Sequence, residues 1–176
     1  MRMKAAVCHA YNTPLVVEEI ELDPPKAGEV LVKLSATGVC RSDLYAYHGD
    51  IPIPRPVVLG HEGAGVIEEV GPGVKDFAPG DHVVLSMMLA CGKCRWCHIG
   101  HPNKCELLAG VQRGTSLDGT TRRRLLDGRA VYGLGQTSTW AEYTTVPQST
   151  LVKAPKHLPL EQLCLLGCGF TTGFCS

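Results

Sequence analysis

Short stretches in which hydrophobic and polar residues partly alternate recur along the chain. One example is residues 30–34, where Lys33 lies between the hydrophobic residues Val32 and Leu34. A period of two is typical of β-strands with one buried face. The pattern, together with β-branched residues, predicts strands at residues 4–9, 15–21, 29–37, 65–70, 82–86 and 141–145.

Turn-forming pairs separate these stretches, for example Pro24-Pro25, Pro72-Gly73 and Pro79-Gly80. Helical patterns are few, and we predict them only at residues 42–48 and 159–166, the second beginning behind a proline and ending at Gly167. A chain with many short strands and few helices favours a mainly β fold, an antiparallel barrel or sandwich, over alternating βαβ units.

The strand pattern stops at residues 89–105, where cysteines are concentrated. They form a Cys-x-x-Cys-x-x-Cys pattern followed, after seven further residues, by a fourth cysteine; the four are Cys91, Cys94, Cys97 and Cys105. Four thiolates so spaced can bind one tetrahedral ion, which predicts a closed, structural zinc site in a small lobe. An iron–sulfur cluster and disulfides are the alternatives. Ferredoxin patterns have a shorter gap to the fourth cysteine and a proline after it, whereas Glu106 follows here.

Three further metal-binding side chains lie on glycine-flanked segments distant from one another in sequence. They are Cys40, His61 and Cys168. Each alone is best explained as an ordinary buried or hydrogen-bonded residue. Together they form a Cys₂His set, and three protein ligands leave a fourth position open, as in catalytic zinc sites.

Composition narrows the class of protein. The 176 residues have no net charge, 44% are hydrophobic and 19% are charged, which indicates a globular protein and gives no general attraction to nucleic acid. No stretch reaches the roughly 20 apolar residues of a membrane span. Nine cysteines without a signal peptide predict a cytoplasmic, metal-binding protein. The basic run at residues 122–124, with Arg129, is interpreted as a solvated hairpin.

Residues 60–74 resemble the signature of zinc-dependent medium-chain alcohol dehydrogenases. The signature is Gly-His-Glu, two residues, Gly, five residues, Gly, two residues and an apolar residue, and it is matched from Gly60 to Val74. The cysteine-rich lobe and the run Gly-Cys-Gly-Phe-x-Thr-Gly at 167–173 follow in the same order as in that family. The resemblance extends over essentially all 176 residues.

The resemblance implies a GroES-like β-barrel catalytic domain at residues 1–176, incomplete and containing the structural zinc lobe at 89–105. A Rossmann domain would follow in the family, and no Gly-x-Gly-x-x-Gly motif occurs in these residues. The chain is therefore expected to be part of a longer protein or a truncated product. Two zinc ions are implied, the catalytic one bound by Cys40, His61 and Cys168.

The resemblance also implies roles for neighbouring residues. Glu62 would lie behind the catalytic zinc, Asp43 would orient His61, and Ser42 would take the proton from the alcohol. Arg41 would meet the pyrophosphate of NAD and Thr172 would lie near its nicotinamide. The chain departs from many family members at Tyr45, which replaces a histidine of the proton relay; His48 follows three residues later. Met87 and Leu134 would line the substrate pocket.

The implied activity is oxidation of a small alcohol to an aldehyde or ketone by hydride transfer to NAD. The alternative is a non-catalytic zinc-binding module that cannot bind nucleotide alone. The sequence does not identify the alcohol, and it does not distinguish NAD from NADP. It is compatible with a homo-oligomer but does not specify the oligomeric state.

Overall fold

Ten β-strands within the described part of the chain form a barrel and an open sheet. The computed structural model describes residues 1–109, 111 and 113–176. The strands, in chain order, are β1 (Arg2–Cys8), β2 (Val16–Leu22), β3 (Glu29–Thr37), β4 (Val57–Val58), β5 (Gly63–Val70), β6 (His82–Leu85), β7 (Arg123–Leu125), β8 (Ala130–Gly133), β9 (Tyr143–Pro147) and β10 (Leu151–Ala154).

The barrel closes in the order β1-β2-β7-β8-β4. Its pairs are antiparallel except β4 with β8, which run parallel with Val57 opposite Tyr132. Alternate side chains of a strand point to one face, and the inward-facing ones here are apolar. The buried cluster consists of Met3, Ala5, Val7, Ile20, Leu22, Leu31, Val58, Leu125 and Val131.

The open sheet has the order β10-β6-β5-β3-β9 and is antiparallel throughout. The central pair of β3 and β5 has register shifts between Leu31 and Val32 and between Leu34 and Ala36. A second buried cluster covers one face and includes Val30, Val32, Ile67, Val83, Leu85, Val146 and Leu151.

Short helices and 3-10 turns contain or directly flank most of the candidate ligands. They are α1 (Arg41–His48), α2 (Arg95–His98), α3 (Leu160–Leu163) and α4 (Gly169–Phe174), with 3-10 turns at Pro102–Lys104, Glu106–Leu108, Gln148–Thr150 and Cys164–Gly167. No helix of the described residues is long and apolar enough to cross a membrane.

The mainly β fold predicted from the sequence is confirmed. Each of the six predicted strands is present, with its ends within two residues of those predicted, and so are both predicted helices, although the second continues into a 3-10 turn. Strands β4, β7, β8 and β10 were missed. They are two to four residues long, and β4 follows a proline-rich stretch that hides any alternation.

The interpretation of the basic run as solvated is wrong for two of its members. Strands β7 and β8 do form a hairpin over residues 123–133, with Arg129 exposed between them. Arg122 and Arg123, however, are only 2% and 6% exposed. Arg122 is buried because Glu29, 93 residues away in the chain, accepts hydrogen bonds from its Nε and Nη2 at 2.9 and 2.5 Å.

Candidate metal centres

The cysteine-rich lobe brings all four of its thiols together. Cys94 precedes α2 and Cys97 lies within it, while Cys105 lies between two 3-10 turns. The Sγ atom of Cys94 is 3.6 Å from that of Cys97 and 3.9 Å from that of Cys105. With Cys91, the four sulfur atoms all lie within 4.8 Å of one another.

These separations fit a tetrahedral zinc site. Sulfur atoms bound at about 2.3 Å to one zinc ion would lie about 3.8 Å from each other. A disulfide requires an S–S length of about 2.05 Å, and all nine cysteines of the chain are free thiols. Hydrogen bonding favours the thiolate in part of the cluster, since backbone N–H groups of Glu106 and Cys97 lower the pKa of Cys94 to about 6.

A second cluster joins three distant segments. Cys40 caps the N-terminus of α1, His61 lies between β4 and β5, and Cys168 immediately precedes α4. The Sγ atoms of Cys40 and Cys168 are 3.8 Å apart although 128 residues separate them in sequence. Ligand atoms of these residues and of Glu62 lie within 4.8 Å of one another. The predicted Cys₂His set is thus assembled in space.

Asp43 holds two of the three segments in register. Its Oδ2 atom accepts the backbone N–H of Cys40 at 2.9 Å, and its Oδ1 atom accepts that of Gly60 at 3.0 Å. Oδ1 also lies 3.1 Å from Nδ1 of His61, and both side chains are fully buried. Gly60 has φ +91°, a left-handed conformation that favours glycine and turns its N–H toward this carboxylate.

The Nε2 atom of His61 indicates what the cluster is built to bind. It is buried and has no hydrogen-bond partner among the described residues. Buried polar nitrogens are nearly always partnered, and an imidazole whose other nitrogen faces a carboxylate is the usual arrangement of a metal-ligating histidine. Both clusters therefore fit zinc.

Electrostatics around the second cluster also favour metal binding. Burial opposes ionisation of Cys40, but the backbone N–H and hydroxyl of Ser42 outweigh burial and lower the pKa of its thiol. Burial by itself would lower the pKa of His61. The hydrogen bond and negative charge of Asp43 outweigh burial, so the pKa of His61 is raised. A cation at Nε2 would take the place of the proton that this environment favours.

Glu62 lies beside the three candidate ligands. It is buried, and its carboxylate lies against the backbone of Gly38, where an added Cβ would be 2.1 Å from Oε2. The sequence placed Glu62 near the catalytic zinc, and the structure brings its carboxylate within 4.8 Å of the ligand atoms of Cys40, His61 and Cys168.

The other predicted site residues lie around the cluster at different distances. The hydroxyl oxygen of Ser42 is 3.8 Å from Sγ of Cys40, and that of Thr172 is 3.9 Å from Sγ of Cys168. The guanidinium of Arg41 is exposed and lies 5.6 Å from the ring centre of Tyr45.

The structure does not extend a proton relay from Ser42. Among the described residues no hydrogen bond joins Ser42 to Tyr45 or to His48. Tyr45 is exposed, and Nδ1 of His48 lies 2.5 Å from Oδ1 of Asn12. Met87 and Leu134 do line one cavity together, of about 430 Å³, with Ile51 and Ile53.

Comparison with known proteins assigns the chain to a family of oxidoreductases. The family profile of the alcohol dehydrogenase GroES-like domain matches residues 26–156. The chain is 46% identical over 175 residues to alcohol dehydrogenase B of Mycobacterium tuberculosis, covering 99% of this chain and 47% of that protein. It is 48% identical over 179 residues to the NDMA-dependent alcohol dehydrogenase of Amycolatopsis methanolica, covering 100% of this chain and 47% of that protein.

A solved structure agrees with this assignment. The alcohol dehydrogenase zinc-binding domain protein from Burkholderia ambifaria superposes with a TM-score of 0.91 at 42% identity, covering 98% of this chain and 47% of that one. The chain belongs to the zinc-dependent alcohol dehydrogenase family through its GroES-like domain. It spans about half the length of the curated relatives it matches.

Proposed function

We propose that these 176 residues form the zinc-binding catalytic part of an NAD-linked oxidoreductase that oxidises a small alcohol to an aldehyde or ketone. The observation that carries this proposal is the buried Nε2 of His61, which has no hydrogen-bond partner in the described part of the chain and lies beside the thiols of Cys40 and Cys168. The names of the relatives support the reaction class.

The two clusters would have different tasks. Cys91, Cys94, Cys97 and Cys105 would hold a structural zinc, because four protein ligands close the coordination shell. Cys40, His61 and Cys168 would hold a second zinc whose fourth position is open. In this assignment residues 1–176 are one GroES-like catalytic domain, with the structural lobe at residues 89–105.

When bound at the open site, zinc supplies Lewis acidity that lowers the pKa of a coordinated hydroxyl group. Asp43 fixes the orientation of the His61 ring. The hydroxyl of Ser42, which lies beside Cys40, would accept the alcohol proton. Arg41 is exposed and free to meet a pyrophosphate, and Thr172 lies on the Cys168 side, where the nicotinamide would approach.

Hydride transfer requires a nucleotide-binding element that these residues do not contain. Phosphates of NAD bind at a glycine-rich helix N-terminus and the ribose needs an acidic partner, and the 176 residues have no Gly-x-Gly-x-x-Gly motif. Positioning of the reactants contributes on the order of 7–11 kcal/mol in such reactions. The competing description is a zinc-binding module without catalytic activity of its own.

Cobalt substitution tests the open site without relying on turnover. Co²⁺ bound to two thiolates and an imidazole absorbs in the visible region, and its bands should shift when an alcohol or imidazole takes the fourth position. His61→Ala should abolish this shift and leave the bands of the four-cysteine lobe. Bands that do not respond to added ligand in the unmodified protein would contradict an open catalytic site.

Neither description gives the isolated chain nucleotide binding, so joining a nucleotide-binding domain to the chain is what separates a catalytic part from a non-catalytic module. Calorimetric titration of the 176-residue protein with NADH should show no micromolar binding, and an ethanol oxidation assay should show no turnover. Activity is expected once a nucleotide-binding domain of a family member is joined to the chain. Micromolar NADH binding by the 176 residues alone would contradict the proposal that nucleotide binding requires a separate domain.

A further inference from the structure

The cavity of about 430 Å³ has one wall that is built on the segment leading to His61. Leu134, which lines the cavity, donates its backbone N–H to the carbonyl of Val58 at 3.2 Å. The hydroxyl oxygen of Thr137 lies 3.3 Å from the carbonyl oxygens of both Leu134 and Gly60. Because Gly60 immediately precedes His61, this wall is tied to the backbone that carries the imidazole.

A second wall of the cavity is tied to the segment that carries Cys168. Met87 lines the cavity two residues after Leu85, the last residue of β6. Gly167, the residue before Cys168, packs on that strand end, since an added Cβ would lie 2.4 Å from the carbonyl oxygen of Leu85. The volume lies in the range of small-molecule pockets. An alcohol bound at the metal cluster would therefore extend its carbon chain into this cavity.

Arg113 is the charged residue of a lining that is otherwise aliphatic except for Gln136 and two glycines. It is exposed, and its side chain has no ion pair or hydrogen bond with any residue that the structure describes. The next residue anchors this segment at the cavity: the carbonyl of Gly114 accepts the backbone N–H of Gly133 at 2.9 Å. An added Cβ on Gly114 would lie 3.0 Å from Cγ2 of Ile53, which also lines the cavity.

The lining offers hydrogen-bond donors to an acid and, in the described part of the chain, no carboxylate that would repel one. The guanidinium of Arg113 is free to donate two parallel hydrogen bonds to a carboxylate. Gln136 uses one N–H of its amide on the carbonyl of Thr115 at 2.8 Å, which leaves its second N–H available. A neutral alcohol would gain nothing from the charge of Arg113, whereas an acidic one would.

We infer that the preferred substrate is an alcohol that carries a carboxylate at the far end of its carbon chain, an ω-hydroxy acid, and that Arg113 selects it. The inference rests on the proposed alcohol oxidation at the cluster of Cys40, His61 and Cys168. The hydroxyl end would lie at the cluster, the carbon chain in the cavity and the carboxylate at Arg113. The hydroxyl carbon loses a hydride to NAD and the hydroxyl loses a proton, while the carboxylate is unchanged.

Cobalt-loaded protein allows this preference to be measured as binding instead of turnover. The visible bands of the open site are followed during titration with straight-chain 1-alkanols and with ω-hydroxy acids of the same carbon numbers. At the chain length that spans the distance from the cluster to Arg113, the acid should bind about fivefold more tightly than the alkanol, the upper end for exposed charges. Added salt should reduce this ratio because it screens exposed charges.

Variants of two exposed arginines separate Arg113 from other sources of acid binding. Arg113→Gln should abolish the preference for the acid and Arg113→Lys, which keeps the charge, should restore part of it. Arg129→Gln, on the β7–β8 hairpin, should keep the full ratio. A preference that survives Arg113→Gln would show that the carboxylate binds the metal instead, and it would overturn the inference.

The same titrations distinguish failure of this inference from failure of the proposed function. If alkanols shift the cobalt bands and the acids bind no more tightly at any chain length, the open site stands and the role of Arg113 is wrong. If neither class of compound shifts the bands, the open catalytic site itself is contradicted, and the inference fails with it.

Discussion

Asp43 and His61 face each other with Oδ1 and Nδ1 3.1 Å apart, both side chains fully excluded from solvent. The same carboxylate accepts the backbone N–H groups of Cys40 and Gly60. One buried side chain therefore orients the imidazole and sets the start of the helix that carries the cysteine ligand.

Replacing Asp43 by Asn should weaken zinc binding at the Cys40–His61–Cys168 cluster by about 10- to 100-fold, the usual effect of losing a partner of a metal-ligating histidine. The amide keeps the shape but removes the charge that favours Nδ1–H and a free Nε2. Competition titration with a chromophoric chelator measures both sites, and the four-cysteine site should be unchanged. Asp50→Asn, at an exposed position near the end of α1, is the control. Equal weakening of both sites would indicate general destabilisation instead.

Protein purified without chelator should contain two zinc ions per folded chain and no iron. The seven candidate ligands are arranged as four plus three in separate clusters, and the sulfur separations of 3.6 to 3.9 Å match a tetrahedral zinc shell. Elemental analysis by mass spectrometry gives the stoichiometry. A single zinc ion, or iron in stoichiometric amount, would be incompatible with the assignment.

Changing Cys94 to Ser should remove one zinc ion and unfold the lobe at residues 89–105. The lobe has little apolar core of its own, so its metal contributes folding free energy directly. Limited proteolysis of the lobe and metal content are the measurements, with Cys175→Ser at an exposed thiol as the control. Unchanged metal content in the Cys94 variant would exclude a structural zinc site there.

The buried pair of Glu29 and Arg122 should contribute strongly to stability. Removing one member of such a pair leaves an uncompensated charge and costs about 3–5 kcal/mol of stability. In Glu29→Ala, Arg122 keeps its ion pair with Asp118, so the expected loss lies near the lower end of that range. Denaturant unfolding measures the change, with Glu68→Ala on the exposed side of β5 as the control. A loss no larger than that of the control would show that the pair is energetically neutral.

The same network predicts a loss of stability in acid. Burial raises the pKa of Asp118, but hydrogen bonds from Lys26 and Arg122 outweigh it and hold the pKa well below the usual range. A carboxyl group whose pKa is lower in the folded state stabilises the protein fully above its unfolded pKa of about 3.9, and this contribution is lost as the pH falls further. The acid limb of a stability–pH curve should therefore be shallower in Asp118→Asn. An unchanged limb would show that Asp118 is not protected on folding.

Local patterns were sufficient to predict much of the fold and to group the four lobe cysteines. Alternation predicted the longer strands because a half-buried strand imposes a period of two on its own residues. The four lobe cysteines could be grouped from spacing, since residues so close in sequence can reach one ion whatever the rest of the chain does. Strands of two to four residues, such as β4, carry too few positions to show a period.

The sequence by itself was enough to predict the β architecture and the grouping of the four lobe cysteines, because residue type and short spacing limit both. Only the tertiary structure decided which charges are buried. Arg122 and Arg123 are neighbours in one basic run, yet Arg122 forms hydrogen bonds with Glu29 across 93 residues, whereas Arg123 has no carboxylate partner among the residues that the structure describes. Burial of a charge depends on partners supplied by other strands, and nothing local to the run records where those partners lie.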